Sequence, residues 1–297
     1  MKKVLASLLA LLIALALAAC TDDTGGASQV EDPVSAFDST REINVVTREQ
    51  GSGTRSAFVE LFEVQEEQAD GTKRDAITEQ ASVENNTNTI LTTVQNDPYS
   101  IGYVSMGSLN SNVKALSIEG VEANSENVKN GSYPISRPFL IATQKGADPL
   151  VADFIAFIQS KEGQDIVVVS YIAVNESAAA YSGDRPAGAI VVGGSSSVAP
   201  LMEKLIEAYL AINTNADIEL QVTDSSTGMN NAIEGSYDIG MSSRELKDSE
   251  RETLTETKIA IDGVAVIIHP SNPVGNMTKA QVRDIYLGET KTWETLI

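Results

Sequence analysis

Ile43-Asn44-Val45-Val46-Thr47-Arg48-Glu49-Gln50-Gly51-Ser52-Gly53-Thr54-Arg55 reads as an apolar strand, a Gly/Ser/Thr turn and the entry to a helix. The same unit returns as Ala189-Ile190-Val191-Val192-Gly193-Gly194-Ser195-Ser196-Ser197-Val198-Ala199-Pro200. A helix start offers unpaired backbone N–H groups and a partial positive charge, so it is suited to an anion. Glycines let the backbone come close to a ligand, and hydroxyls add donors without charge. Two such turns imply a small oxyanion gripped between two lobes.

Working outward, strands and helices alternate along the chain, which predicts an α/β fold rather than an all-helical or all-β one. Behind the first turn, Phe58, Leu61, Phe62 and Val64 follow helical spacing. Strands are expected at 100–104, 138–143, 167–172, 218–222 and 264–268. Helices are expected at 149–160, with Phe154, Ile155 and Ile158 on one face, and at 278–287, with Thr278 as cap. After the second turn, Leu201, Leu205, Ile206, Tyr209 and Leu210 mark a helical stripe. Residues 175–188 are small and polar and read as a linker.

The N-terminus fixes the expected compartment. Lys2-Lys3 precede an apolar run from Val4 to Leu17 that is too short to span a bilayer. Leu17-Ala18-Ala19-Cys20 has the form of a lipobox, which makes residues 1–19 a lipoprotein signal peptide and Cys20 the lipidated N-terminus. Cys20 is the only cysteine, so no intramolecular disulfide can form. Residues 20–42 then read as a flexible tether.

The formal net charge is −20, and removing Lys2 and Lys3 with the signal makes it more negative. That field argues against nucleic acid or anionic lipid as partners. An anion site in such a protein must work through local dipoles and a few cations.

The residues that carry this chemistry are few. Ser52, Gly53 and Thr54 present donors on one side, and Arg48 brings a guanidinium to the same point. Ser195, Ser196 and Ser197 repeat the arrangement, with Pro200 in a first-turn position. Ser225 and Ser226 sit at a third turn, Ser242 and Ser243 at a fourth. Four hydroxyl-bearing turns at strand ends fit the rule that open α/β sheets bind ligands at the carboxyl ends of their strands. The nearby carboxylates are Glu49, Asp224 and Asp238. One facing a bound anion would demand a ligand proton, admitting hydrogen phosphate and rejecting sulfate; the sequence does not choose among the three.

Catalysis finds little support. The single histidine, His269, precedes Pro270 and lacks an evident orienting acid. One His and one N-terminal Cys argue against a transition-metal site, and no cofactor is expected. Trp293 and Tyr286 read as core anchors.

Together the turns resemble a known set. Arg48-Glu49 followed by Gly51-Ser52-Gly53-Thr54-Arg55 resembles the signature loop of phosphate-binding lipoproteins of ABC phosphate importers. The likeness extends to 194–200, to Asp224-Ser225-Ser226-Thr227-Gly228, to Asp238-Ile239-Gly240-Met241-Ser242-Ser243-Arg244, and to Ile101-Gly102-Tyr103-Val104-Ser105. The resemblance implies a two-lobed, periplasmic-binding-protein-like (type II) fold that closes on inorganic phosphate and delivers it to permease subunits, with no enzymatic activity. It implies a lipid anchor at Cys20 on the extracytoplasmic face of the membrane. The matching phosphate contacts are Arg48, Ser52, Gly53, Thr54, Ser196, Ser197 and Ser225. Ser243 is the position where some members carry an aspartate that accepts the ligand's proton.

Segment order departs from that family. The Ser195–Ser197 loop comes first there and the Arg48–Arg55 loop later, so this chain resembles a circular permutant with a new join near 175–188. One lobe is expected to combine 43–135 with 271–297, and the other to span 139–268, with crossings near Ile135–Pro138 and His269–Pro270. A domain-swapped dimer and a fragment of a tandem array are the alternative arrangements. Rival functions are a receptor for sulfate or molybdate, a phosphate sensor, a secreted serine hydrolase or phosphatase, and a structural lipoprotein.

Overall fold

Strand β1 (Asn44–Arg48) buries every residue after Asn44 and delivers Arg48 to its carboxyl end. The chain turns through Gly51 at φ +94° into helix α1 (Gly53–Leu61). Ser52 caps that helix by accepting the N–H of Arg55. Phe58 then stacks on Tyr103 with ring centroids 4.0 Å apart, which seats α1 against the sheet. The computed structural model describes residues 37–69, 73–146 and 148–297. The expected signal peptide, Cys20 and all but the end of the tether lie outside the described residues.

Strands β2 (Ser82–Glu84) and β3 (Ser100–Ser105) pair in parallel with β1, and α2 (Thr87–Asn96) connects them. The chain continues through β4 (Ser136–Gln144), α3 (Pro149–Gln159) and α4 (Lys161–Val167). The second unit follows as β5 (Gly188–Ser195) and α5 (Ala199–Ile212), then β6 (Ala216–Thr223), α6 (Ser225–Glu234) and β7 (Ile239–Ser242). A 15-residue strand, β8 (Leu254–Ile268), precedes α7 (Lys279–Tyr286).

These strands form one sheet in the order β6-β5-β7-β4-β8-β3-β1-β2, with Lys114–Ala115 and Ile172–Ala173 also pairing on β8. β8 is the spine. Its first part pairs antiparallel with β4 as far as Gly263 opposite Ser136, and its last five residues pair with β3 from Val264 opposite Ser105. Two apolar cores lie to either side. One gathers Phe58, Ile90, Tyr103, Val264–Ile268, Ile285, Tyr286 and Trp293; the other gathers Phe139, Phe154, Val192, Leu205, Tyr209 and Met241. Crossing between lobes therefore occurs inside β8, at Gly263–Val264, rather than at His269–Pro270. The apolar run 264–268 belongs with β3, because its side chains fill the first core.

A second difference from the expected strands lies at 167–172. Ser160 caps α4 by accepting the N–H of Gly163, so the helix runs to Val167. Val168 and Val169 are exposed (56% and 73%), and only Ile172–Ala173 reach β8. An apolar β-branched run imitates a strand even where its middle faces water.

Residues 175–188 do connect the two units, but they are docked. Tyr181 donates to Asp153 at 2.6 Å, Lys161 N–H donates to Ala179 and Asn213 to Pro186. Tyr286 and Trp293 are fully buried as anchors, their polar tips donating to the carbonyls of Val46 and Tyr99. Ile43 N–H donates to Lys291 at 2.8 Å, which lays the strand entering β1 beside the segment after α7.

Candidate functional site

Parallel pairing of β5 with β6 and β7 brings Ser195, Thr223 and Ser242 to one edge of the sheet. β1 ends at the same cleft with Arg48. The starts of α1, α2, α5 and α6 converge there, so their dipoles act on a common point.

Hydroxyls fill the space between these starts. Thr54 Oγ1 and Ser197 Oγ lie 2.7 Å apart, and Thr87 Oγ1 reaches Ser196 Oγ at 3.3 Å and Ser197 Oγ at 3.4 Å. Deeper in, Ser195 Oγ donates to Ser243 Oγ at 2.9 Å, while Ser225 Oγ accepts the N–H of Ser243 at 3.1 Å. All seven residues are buried. Gly53 closes the opposite wall so tightly that a Cβ there would stand 2.3 Å from Ser225 Oγ and 2.7 Å from Ser243 Oγ. A Cβ there forces both hydroxyls to move.

Arg48 is 2% exposed and holds the cation of the site. Its Nε and Nη2 each donate to a Glu49 carboxylate oxygen at 2.7 Å, and Nη1 points to Thr87 Oγ1 at 3.5 Å. Tyr103 OH accepts the N–H of Arg48 and bonds Thr47 Oγ1, which fixes the strand end; burial pushes that phenol up to about 12. Arg55 completes the support by donating to the Arg48 carbonyl at 2.7 Å and pairing with Asp75.

Of the residues singled out in the sequence, the structure brings together Arg48, Gly53, Thr54, Ser196, Ser197, Ser225 and Ser243. Ser52 lies buried at the same turn, but its hydroxyl serves as the α1 cap. Thr87 was missed. Its signal was available, since Asn86 is an N-cap before the helical spacing of Ile90, Leu91 and Val94. Arg137 was missed too. It sits opposite Asp262 in the β4–β8 register, donates to that carboxylate through Nε and Nη2, and donates to the Ser243 carbonyl at 3.2 Å. Burial pushes the Arg137 guanidinium down and the Asp262 carboxyl up, and their mutual attraction opposes both shifts. Only tertiary pairing at the lobe crossing joins these two residues.

The three candidate carboxylates all have other partners. Glu49 is taken by Arg48, Asp224 accepts the N–H groups of Ser226 and Thr227, and Asp238 accepts Val191 N–H. His269 bonds Ser271 at an exposed position away from the hydroxyl cluster. Among the described residues, no cluster of His, Cys, Asp and Glu is arranged to hold a metal ion. A cavity of about 780 Å³, lined in part by Asn86, Thr87, Ser196 and Pro200, leads from solvent to the edge of the cluster.

Comparison with known proteins follows the same lines. The PBP superfamily domain matches residues 31–162 and 179–296. The phosphate-binding protein PstS 2 of Streptococcus agalactiae is 44% identical over 282 residues, covering 94% of this chain and 92% of that protein. The crystal structure of a phosphate ABC transporter, phosphate-binding protein from Streptococcus pneumoniae is similar at 39% identity with a TM-score of 0.70, over 86% of this chain and all of that one. The phosphate-binding protein PstS of Staphylococcus epidermidis is 38% identical over 109 residues, 34% of each chain. With a PBP-superfamily domain over most of its length and a full-length PstS relative at 44% identity, this chain belongs to the PstS phosphate-binding protein family.

Proposed function

We propose that this protein binds inorganic phosphate between its two lobes outside the cytoplasm and delivers it to the permease of an ABC transporter. The observation that carries this reading is the convergence of Arg48 with the buried hydroxyls of Thr54, Ser196, Ser197, Ser225 and Ser243 at helix starts from both lobes. Such a lining supplies several donors to a small tetrahedral anion and little net charge. Closure removes water around the ligand, which strengthens each charge-assisted bond. Arg48 neutralises charge, Gly53 permits close approach, and the N–H groups of Gly53 and Thr54 at the start of α1 face the anion. The relatives' names support phosphate as ligand and an ABC transporter as destination. Calorimetric titration of the anion-stripped protein with phosphate tests the reading; one site per chain is expected, and absence of heat contradicts it.

We read the protein as a receptor rather than an enzyme, since its one histidine stands apart from the serine cluster. Attachment through a lipid at Cys20 is part of the proposal and rests on the lipobox form of Leu17-Ala18-Ala19-Cys20. Loss of membrane association in Cys20→Ala is the expected outcome, measured by cell fractionation.

A circularly permuted order is part of the same proposal. One relative aligns over nearly the whole chain and another over about a third, as expected when segments are exchanged between subgroups. The Ile43–Lys291 hydrogen bond supports a chain break at that point, because closely spaced ends tolerate rejoining. A chain re-permuted to begin at Gly188, with a short linker from Ile297 to Ile43, is expected to fold and to bind phosphate with unchanged affinity.

A further inference from the structure

The second core is assembled from both sides of the join at 175–187. Phe139 and Phe154 come from before it, and Val192, Leu205 and Met241 from after it. A core divided in this way can be completed by the chain's own second half or by that of another copy. The join is held closely. Val174 N–H donates to Gln164 Oε1 at 3.0 Å, Tyr181 N–H to Glu162 Oε2 at 2.7 Å, and Asn213 Nδ2 to the Pro186 carbonyl at 2.9 Å. At its centre Asp153, buried on α3, accepts Tyr181 OH and Tyr209 OH at 2.6 Å each and Asp184 N–H at 2.9 Å. Among the described residues no lysine or arginine pairs with this carboxylate, so neutral donors hold its charge. Burial, and then the carboxylate itself, push both phenols up, which keeps them protonated as donors.

We infer that Asp153 is a clasp that makes this chain complete its own second lobe, and that releasing it lets two copies of the chain exchange halves. Exchange needs slack in the join. Docked on α3, α4 and α5, the join has none; freed and extended, residues 175–187 span roughly 45 Å, enough to cross to a neighbouring copy. Asp153 ties the middle of the join to both flanks at once, because Tyr181 and Asp184 belong to the join and Tyr209 to α5. The bond to Asp184 also holds a strained neighbour in place. Arg185 stands at φ +55°, in the left-handed region, directly before Pro186. A side chain strains that backbone, and a following proline favours extended geometry. A released join therefore straightens at Arg185. Repulsion between copies of net charge −20 acts on the same side as the clasp.

The test is gel filtration with light scattering on the full chain, unfolded in denaturant and refolded at high protein concentration in moderate salt. The unaltered chain is expected to return as a monomer. Asp153→Asn is expected to shift the monomer–dimer equilibrium toward dimer by roughly tenfold or more, the scale of one lost hydrogen bond to a charged group. Tagged and untagged Asp153→Asn chains are expected to form mixed dimers when refolded together and not when mixed after folding, the mark of exchanged halves. Arg185→Gly added to Asp153→Asn relieves the strain and is expected to return part of the dimer to monomer. A dimer already formed by the unaltered chain overturns the inference, as does Asp153→Asn folding as a monomer in the unaltered proportion. Mixed dimers formed between already folded chains mark surface association and overturn it too. Should Asp153→Asn fail to fold, Tyr181→Phe, which removes one donor only, is expected to shift the equilibrium the same way, and an unchanged equilibrium there overturns the inference equally.

Discussion

The two sides of the cleft contribute unlike chemistry. From the lobe of β1, α1 and α2 come a guanidinium, a glycine wall and the hydroxyls of Thr54 and Thr87. From the lobe of β5, β6 and β7 come five buried serines, and a buried cation, Arg137, stands behind Ser243 in an ion pair with Asp262. The first side supplies charge and shape, the second a rotatable set of hydroxyls. Such a division explains how a chain of net charge −20 holds an anion: attraction is local to Arg48 and the helix starts, while the remaining lining is neutral.

If that division is right, the two sides respond unequally to truncation. Arg48→Ala is expected to have the largest effect, weakening phosphate binding by roughly 10- to 150-fold, the scale of one hydrogen bond to a charged group. Gly53→Ala sharpens the shape side of the comparison. Its added methyl group meets Ser225 and Ser243, at an overpacking cost of about 1–3 kcal/mol. Affinity is expected to drop by roughly tenfold. Ser197→Ala removes one neutral partner of Thr54 and is expected to cost about 0.5–1.5 kcal/mol, or roughly fivefold in affinity. Equal losses in Arg48→Ala and Ser197→Ala would break the asymmetry.

The smallest expected effect concerns stability alone. Burial would raise the Glu250 carboxyl, but the bidentate Arg244 pair and the Lys247 N–H outweigh it and hold it below the ordinary glutamate value. A lowered value in the folded state means that this contribution is present above the ordinary range and fades as pH falls through it. The gap in melting temperature between the unaltered protein and Glu250→Gln is therefore expected to be steady near neutrality and to close on acidification below about 4.5.

Much of this was legible in the sequence because it is local. Strand-turn-helix units show as an apolar run, then Gly and Ser, then helical spacing, and both anion turns were read that way. Core anchors such as Trp293 and Tyr286 follow from size and apolarity. What escaped is tertiary. Thr87 matters only because α2 starts opposite Ser196, and Arg137 only because β4 and β8 set it against Asp262. The lobe boundary moved from His269–Pro270 to Gly263–Val264 since a proline ends a strand visibly, whereas a change of pairing partner within one strand leaves no mark in the sequence. The commitment of Glu49, Asp224 and Asp238 to other partners was equally invisible, because side-chain pairing depends on geometry.

The most direct test of the central claim is calorimetric titration of the anion-stripped full chain with phosphate, run in parallel on Arg48→Ala and Gly53→Ala. Binding at one site per chain, weakened in both variants, is the predicted result. Phosphate binding with unchanged affinity in both variants would contradict the claim that the cleft between Arg48 and Ser243 holds the anion.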